Sequence, residues 1–158
     1  MEEDQDNDNK ENISDRYIYF DKTADIKFQA FGATLEEAFK NAEEALIGVM
    51  FDIQELIDYD IHTEDREVTV EATNLETLLY NFLEEIIFLL SAESFIGLVE
   101  KIIIKESDGA YKLKAKIHGT QSINLESHGE VKAITYNEMY VKHDEKTGQY
   151  EVQVVPDI

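Results

Sequence analysis

Cysteine is absent from the 158 residues and proline occurs once. Without cysteine there are no disulfides, no thiolate catalysis and no cysteine-ligated zinc or iron–sulfur centre, a composition that suits the cytoplasm. The seven glycines are scattered singly. Neither G-x-G-x-x-G nor G-x-x-x-x-G-K-[ST] occurs, so a nucleotide cradle is not expected on this chain. G-x-S-x-G is missing too, which leaves few candidate nucleophiles. The longest apolar runs, such as residues 86–90, are too short to cross a bilayer. The acidic opening Met1-Glu2-Glu3-Asp4 is the reverse of a secretory leader.

Basic residues are scarce: 14 against 35 acids, for a net charge of −21. Phosphate-backbone binding draws its affinity from Lys and Arg, so strong direct binding of nucleic acid is not expected. The acidity suits a basic protein partner, a hard cation or plain solubility. Residues 2–15 alone hold seven acids and one lysine and read as a disordered leader, with one domain over residues 16–158. The apolar share of 43% is enough for that domain to bury a core.

Tyr17-Ile18-Tyr19-Phe20 reads as a short strand, and residues 25–31 alternate with period two before Gly32. Thr34-Leu35-Glu36-Glu37 is a capping box opening a helix that ends near Phe51, and Thr73-Asn74-Leu75-Glu76 opens another. The second, with Leu75, Leu78, Leu79, Phe82, Leu83, Ile86, Ile87 and Leu90, has the wider apolar stripe and is expected to be the better buried. Residues 53–63 are ambiguous. Strands are expected over residues 67–72, 101–105, 111–117, 130–141 (with a bend near Asn137) and 150–155, with a turn at Asp108-Gly109. The row Lys112, Lys114, Lys116 reads as a solvated sheet face, with anion binding as the alternative. The expected fold is α+β: two helices on one face of a mixed, largely antiparallel sheet of six to seven strands.

His62, His118, His128 and His143 show no paired metal-ligand spacing and read as surface or strand-end residues. Two carboxylate stretches remain. Asp21-Lys22-Thr23-Ala24-Asp25 is a polar turn between aromatic strands, and such aspartates commonly only cap or solvate a turn. At the other end a hydrophobic strand leads into Val154-Val155-Pro156-Asp157-Ile158. There the Asp157 side chain and the α-carboxylate of Ile158 bring two negative charges together, which is costly without a positive neighbour. A hard divalent cation held through oxygens, or a nearby lysine, would relieve the repulsion; the residues alone leave both open. Three functional classes remain: an accessory binding factor, a metal-dependent phosphodiesterase or hydrolase, and an acidic chaperone-like module.

From Tyr17 to Ile158 the chain resembles the archeases. The resemblance is carried by Asp21-Lys22-Thr23-Ala24-Asp25, where the family reads D/E-H-T-A-D, by Thr34-Leu35-Glu36-Glu37-Ala38-Phe39, and by residues 74–85. Glu130-Val131-Lys132-Ala133-Ile134-Thr135-Tyr136-Asn137-Glu138-Met139 and the Pro156-Asp157-Ile158 ending complete it, in family order. It implies a small cytoplasmic protein, expected as a monomer, that is not itself an enzyme. Such a protein assists the GTP-dependent tRNA-splicing RNA ligase, promoting its guanylylation and repeated turnover. The resemblance also implies a divalent cation, calcium in known members, held by Asp25, Asp157 and Ile158, with Lys132 balancing charge or touching the ligase. Lys22 departs from the family histidine; any role of that histidine in docking or in orienting the aspartate is then altered or lost, and Lys22 is expected to point to solvent and to matter little.

Overall fold

A computed structural model describes residues 10–13, 15–21 and 26–158. Within the segment expected as a leader, Lys10–Ile13 forms β1 against β2; residues 1–9 lie outside the described residues. Strands β2 (Tyr17–Asp21), β3 (Ile26–Gly32), β8 (Tyr150–Asp157) and β7 (Ala133–His143) complete a five-stranded sheet in the order β1-β2-β3-β8-β7. A second sheet contains β4 (Glu64–Ala72), β6 (Ala110–Gln121) and β5 (Phe95–Ser107), in the order β4-β6-β5. Every pairing is antiparallel. The α+β class holds, but the single sheet expected from the sequence is two.

Helix α1 (Leu35–Met50) starts where Thr34 Oγ1 accepts the Glu37 N–H at 3.1 Å. Glu37 returns the bond to the Ala33 N–H at 3.4 Å, one residue before the cap. A short helix α2 (Ile53–Asp58) resolves part of the ambiguous stretch, capped by Asp52. Helix α3 (Leu75–Glu93) is capped by Asn74 Oδ1, which accepts the Thr77 N–H at 2.8 Å; Glu76 does not return a bond.

The expectation that the second long helix is better buried fails. Ten of 16 residues are buried in α1, including every residue from Asn41 to Ile47, against seven of 19 in α3. The reason is the second sheet: α1 touches β2, β3 and β8 on one side and β5 on the other. Ala38, Ala42 and Ala45, all fully buried, let strands approach closely. The polar residues of this enclosed run have partners: Asn41 Nδ2 donates to the Phe31 carbonyl at 2.7 Å, and Arg16 pairs with Glu44 at 2.7 Å. Phe39 of α1 stacks on Phe82 of α3 at 6.4 Å, joining the helices in the core.

Candidate functional site

Strand β8 lies inside the five-stranded sheet, pairing with β3 (Phe28 opposite Val154) and with β7 (Thr135 opposite Val155). Val152 and Val154 are fully buried and Val155 nearly so, which fixes the strand up to Pro156. The last two residues then emerge: Asp157 is exposed and Ile158 is 39% exposed. Ala133 stands opposite Asp157, and the Lys132 N–H donates to the Asp157 carbonyl at 2.8 Å. The structure therefore brings three of the sequence-predicted residues together: Asp157, Ile158 and Lys132. The Asp157 carboxylate makes no ion pair among the described residues, and a carboxylate oxygen is the kind of donor a hard cation takes.

Asp25 and Lys22 lie outside the described residues. Their neighbours are informative. Asp21 pairs with Ile26 at the end of the β2–β3 hairpin, and β3 runs antiparallel to β8, so Ile26 and Asp157 occupy the same end of the sheet.

Sequence reasoning missed the support beside this end. The β7–β8 register slips between Thr135 and Tyr140, so that residues 136–139 form a bulge. Glu138 has φ 56°, the left-handed region that a non-glycine residue visits at a cost of roughly 1–2 kcal/mol. Buried Gln153 holds it there, donating to the Glu138 carbonyl at 2.7 Å while its own oxygen accepts from Gln29 at 3.0 Å. Thr135 Oγ1 donates to the Val155 carbonyl at 2.7 Å and accepts the Asn137 N–H at 3.3 Å. Lys27 lies 3.8 Å from Glu138 and over the Phe20 ring. The bend near Asn137 was legible as a break in alternation; its glutamine clamp was not. Tyr136, 53% exposed, stacks on Tyr80 of α3 at 4.2 Å.

One further cluster sits on the outer face of the three-stranded sheet. Exposed Asp65, Glu100 and His118 place ligand atoms within 4.8 Å of one another. His118 Nδ1 is 2.6 Å from Asp65, a contact that holds the Asp65 carboxyl below its ordinary value. Spacing searches overlook it because its members come from three strands. Lys116 lies 3.6 Å from Asp65 and 3.5 Å from Glu100, so the carboxylates already have a cation. Among the described residues, no helix is long and apolar enough to cross a membrane.

Comparison with known proteins covers nearly the whole chain. The family model described as the Archease protein family matches residues 17–158. A protein archease of Pyrococcus abyssi is 37% identical over 146 residues, covering 90% of this chain and 99% of its own. A protein archease-like of Drosophila melanogaster is 34% identical, covering 90% of each chain. The solution structure of Methanobacterium thermoautotrophicum protein 1598 superimposes with a TM-score of 0.78 at 30% identity, covering 92% of this chain and 100% of that one. The crystal structure of an archease, possible chaperone, from Thermotoga maritima gives 0.58 at 19% identity, covering 94% of this chain and 99% of that one, a likeness of fold.

Proposed function

The chain belongs to the archease family, and from that premise we propose that it is a non-catalytic, cytoplasmic accessory factor of the GTP-dependent tRNA-splicing RNA ligase. It promotes guanylylation of the ligase and supports repeated turnover. A divalent cation, calcium by preference, is held by the oxygens of Asp25, Asp157 and Ile158. Lys132 supplies a positive charge beside the cation or a contact to the ligase, and Lys22 takes the place of the family histidine.

The observation that carries this reading is the pairing of Lys132 with Asp157. It fixes an exposed carboxylate and an exposed lysine at the end of a buried strand. Ile26, the residue after Asp25 in the chain, begins the neighbouring strand at that same end. Hard-cation sites need several oxygen ligands, and two aspartates with a terminal carboxylate are donors of that kind. A cation here organises binding and demands no nucleophile. An accessory protein of this sort acts by favouring one conformation of its partner, to the extent of its differential affinity. Net charge of −21 steers it toward a ligase whose RNA groove is basic.

The test adds purified protein to ligase, GTP and manganese and follows covalent GMP–ligase formation. Acceleration by wild type that is lost in Asp157→Ala and in Asp25→Ala supports the reading. An unaccelerated reaction with a cognate ligase rejects it.

A further inference from the structure

The three-stranded sheet carries a charge pattern that neither the cation site nor the ligase reading uses. Between β4 and β6 it sets acids against bases: Asp65 stands opposite His118, Glu67 opposite Lys116 and Glu71 opposite Lys112. Ion pairs at 3.6 Å join Lys112 to Glu71 and Lys116 to Asp65. On the other side of β6 the only acid paired with a β6 lysine among the described residues is Glu100, 3.5 Å from Lys116. There Lys101 of β5 stands opposite Lys116, and Lys105 opposite Lys112. Like charges directly opposite one another destabilise a sheet.

Lys101, Lys105 and Lys114 have no ion pair among the described residues, although the chain has more than twice as many acids as bases. β5 is also an end strand, paired with β6 alone. Its outward side carries Lys101, Ile103 (39% exposed) and Lys105; its inward side carries half-buried Ile102 and Ile104.

The sheet contains its own example of what fits such an edge. β4 presents Glu67, Thr69 and Glu71 outward and Val68 and Val70 inward, and its acids pair with Lys112 and Lys116 of β6. β5 has the same lysine spacing and, among the described residues, no acidic strand on its open side.

We propose that the open edge of β5, over residues 101–105, accepts an extended acidic segment of a partner protein as an added strand. Its carboxylates face Lys101 and Lys105, and its alternate aliphatic residues cover Ile102 and Ile104. Strand addition draws affinity from main-chain hydrogen bonds and specificity from alternate side chains, so the recognised segment alternates acid with β-branched or aliphatic residue. A second copy of β5 is a poor occupant, because it brings lysines to lysines. A nucleic acid satisfies the lysines but leaves the main-chain groups and both isoleucines uncovered. The proposal is independent of the ligase reading.

The probe is a fluorescently labelled peptide with the β4 sequence Glu64–Ala72, titrated with the full chain at physiological salt. Expected are saturable anisotropy, amide shifts confined to β5 by NMR, and a loss of affinity of tenfold or more in Lys101→Glu/Lys105→Glu. A peptide with lysine at the Glu67 and Glu71 positions fails on wild type and binds that variant. Four results overturn the proposal. Equal binding of a backbone N-methylated peptide shows a charged face and no strand addition. Absence of binding leaves the lysines as guards against edge-to-edge aggregation. Binding that appears only after deletion of residues 1–9 assigns the edge to the chain's own leader. A short duplex RNA that shifts the same amides when the peptide does not makes the surface a nucleic-acid contact.

Discussion

The Lys132 N–H donates to the carbonyl of Asp157 at 2.8 Å, so the residues at the end of β8 are held by main-chain atoms while both side chains stay exposed. Anchoring and chemistry are thereby separable. Asp157→Ala is expected to change stability by no more than about 0.5 kcal/mol, as exposed substitutions do. The same change should lower calcium affinity by at least about tenfold, measured by calorimetry beside a thermal melt. Residues appended after Ile158 should do likewise by converting its carboxylate to an amide; unchanged calcium affinity there removes Ile158 from the ligand set.

Lys132 divides the two roles further. Lys132→Ala keeps the N–H, and should melt like wild type while slowing ligase guanylylation. Lys132→Pro removes the donor and should cost roughly 1–3 kcal/mol, the penalty of a carbonyl left without its partner. If the alanine variant activates the ligase fully, the lysine side chain has no part in function.

Glu43 sets a pH dependence. It is fully buried on α1, accepts the Val99 N–H at 3.1 Å through Oε1, and its second oxygen has no hydrogen-bond partner among the described residues. Burial pushes its carboxyl well above the ordinary range; the Val99 N–H and Lys40 oppose this, and Glu44 adds to it. A group whose folded pKa is raised contributes stability that is fully present below its unfolded pKa and lost as pH rises through the folded value. Melting temperature should therefore fall as pH rises above the usual carboxylate range toward neutrality. Glu43→Gln keeps an acceptor for Val99 and should flatten that fall. Parallel curves for the two proteins between pH 4.5 and 8 would show that Glu43 has the same pKa folded and unfolded.

Gly119 and Gly97 face each other across β6 and β5. A Cβ on Gly119 would lie 1.9 Å from the Ile96 oxygen and 2.4 Å from the Gly97 Cα, both backbone atoms. Gly119→Ala should cost about 3 kcal/mol or more, since the strands must part to admit it. Gly109, with φ 77° and open space around it, should lose only about 1 kcal/mol as alanine, from backbone strain alone. Denaturant midpoints for the pair test whether crowding or conformation governs each site.

The glutamine clamp makes a fifth expectation. Gln153→Leu leaves the Glu138 carbonyl and the Gln29 amide without their bonds, a loss of roughly 1–3 kcal/mol. Hydrogen exchange should quicken around residues 136–139 and leave β5 and β6 unchanged. Uniform quickening would mean that the bulge is no separate unit.

Local features were legible in sequence because local atoms make them. Thr34 caps its helix through a side chain three residues from the N–H it binds, whereas the second cap falls one residue later than the expected box, on Asn74 and not Thr73. Asp108-Gly109 turns with both residues at positive φ, and the outward lysines of β6 follow from simple alternation. What failed depended on distant neighbours. Glu43 and Glu44 mark a polar face for any periodicity argument, yet both are buried, because β5 and Arg16 come from elsewhere in the chain. The candidate site divides the same way. Hydrophobic alternation leading to Asp157 marked the tail, whereas joining it to Asp25 and Lys132 needed the family resemblance. The nearness of Asp65, Glu100 and His118 arises only when three strands align.

The placement of β8 also orders events in time. It follows every other strand in sequence yet lies between β3 and β7, and its Gln153 bonds to Gln29 across 124 positions. Such distant pairing pays its loop-closure entropy before any contact rewards it and is intrinsically slow. The β5–β6 hairpin, closed by a two-residue turn, needs no such wait. The three-stranded sheet and helices should thus assemble first, with the edge of β3 left to receive the β7–β8 hairpin. Until that hairpin docks, β3 is open to intruding strands from other molecules, so the final docking step is where misassembly competes with folding.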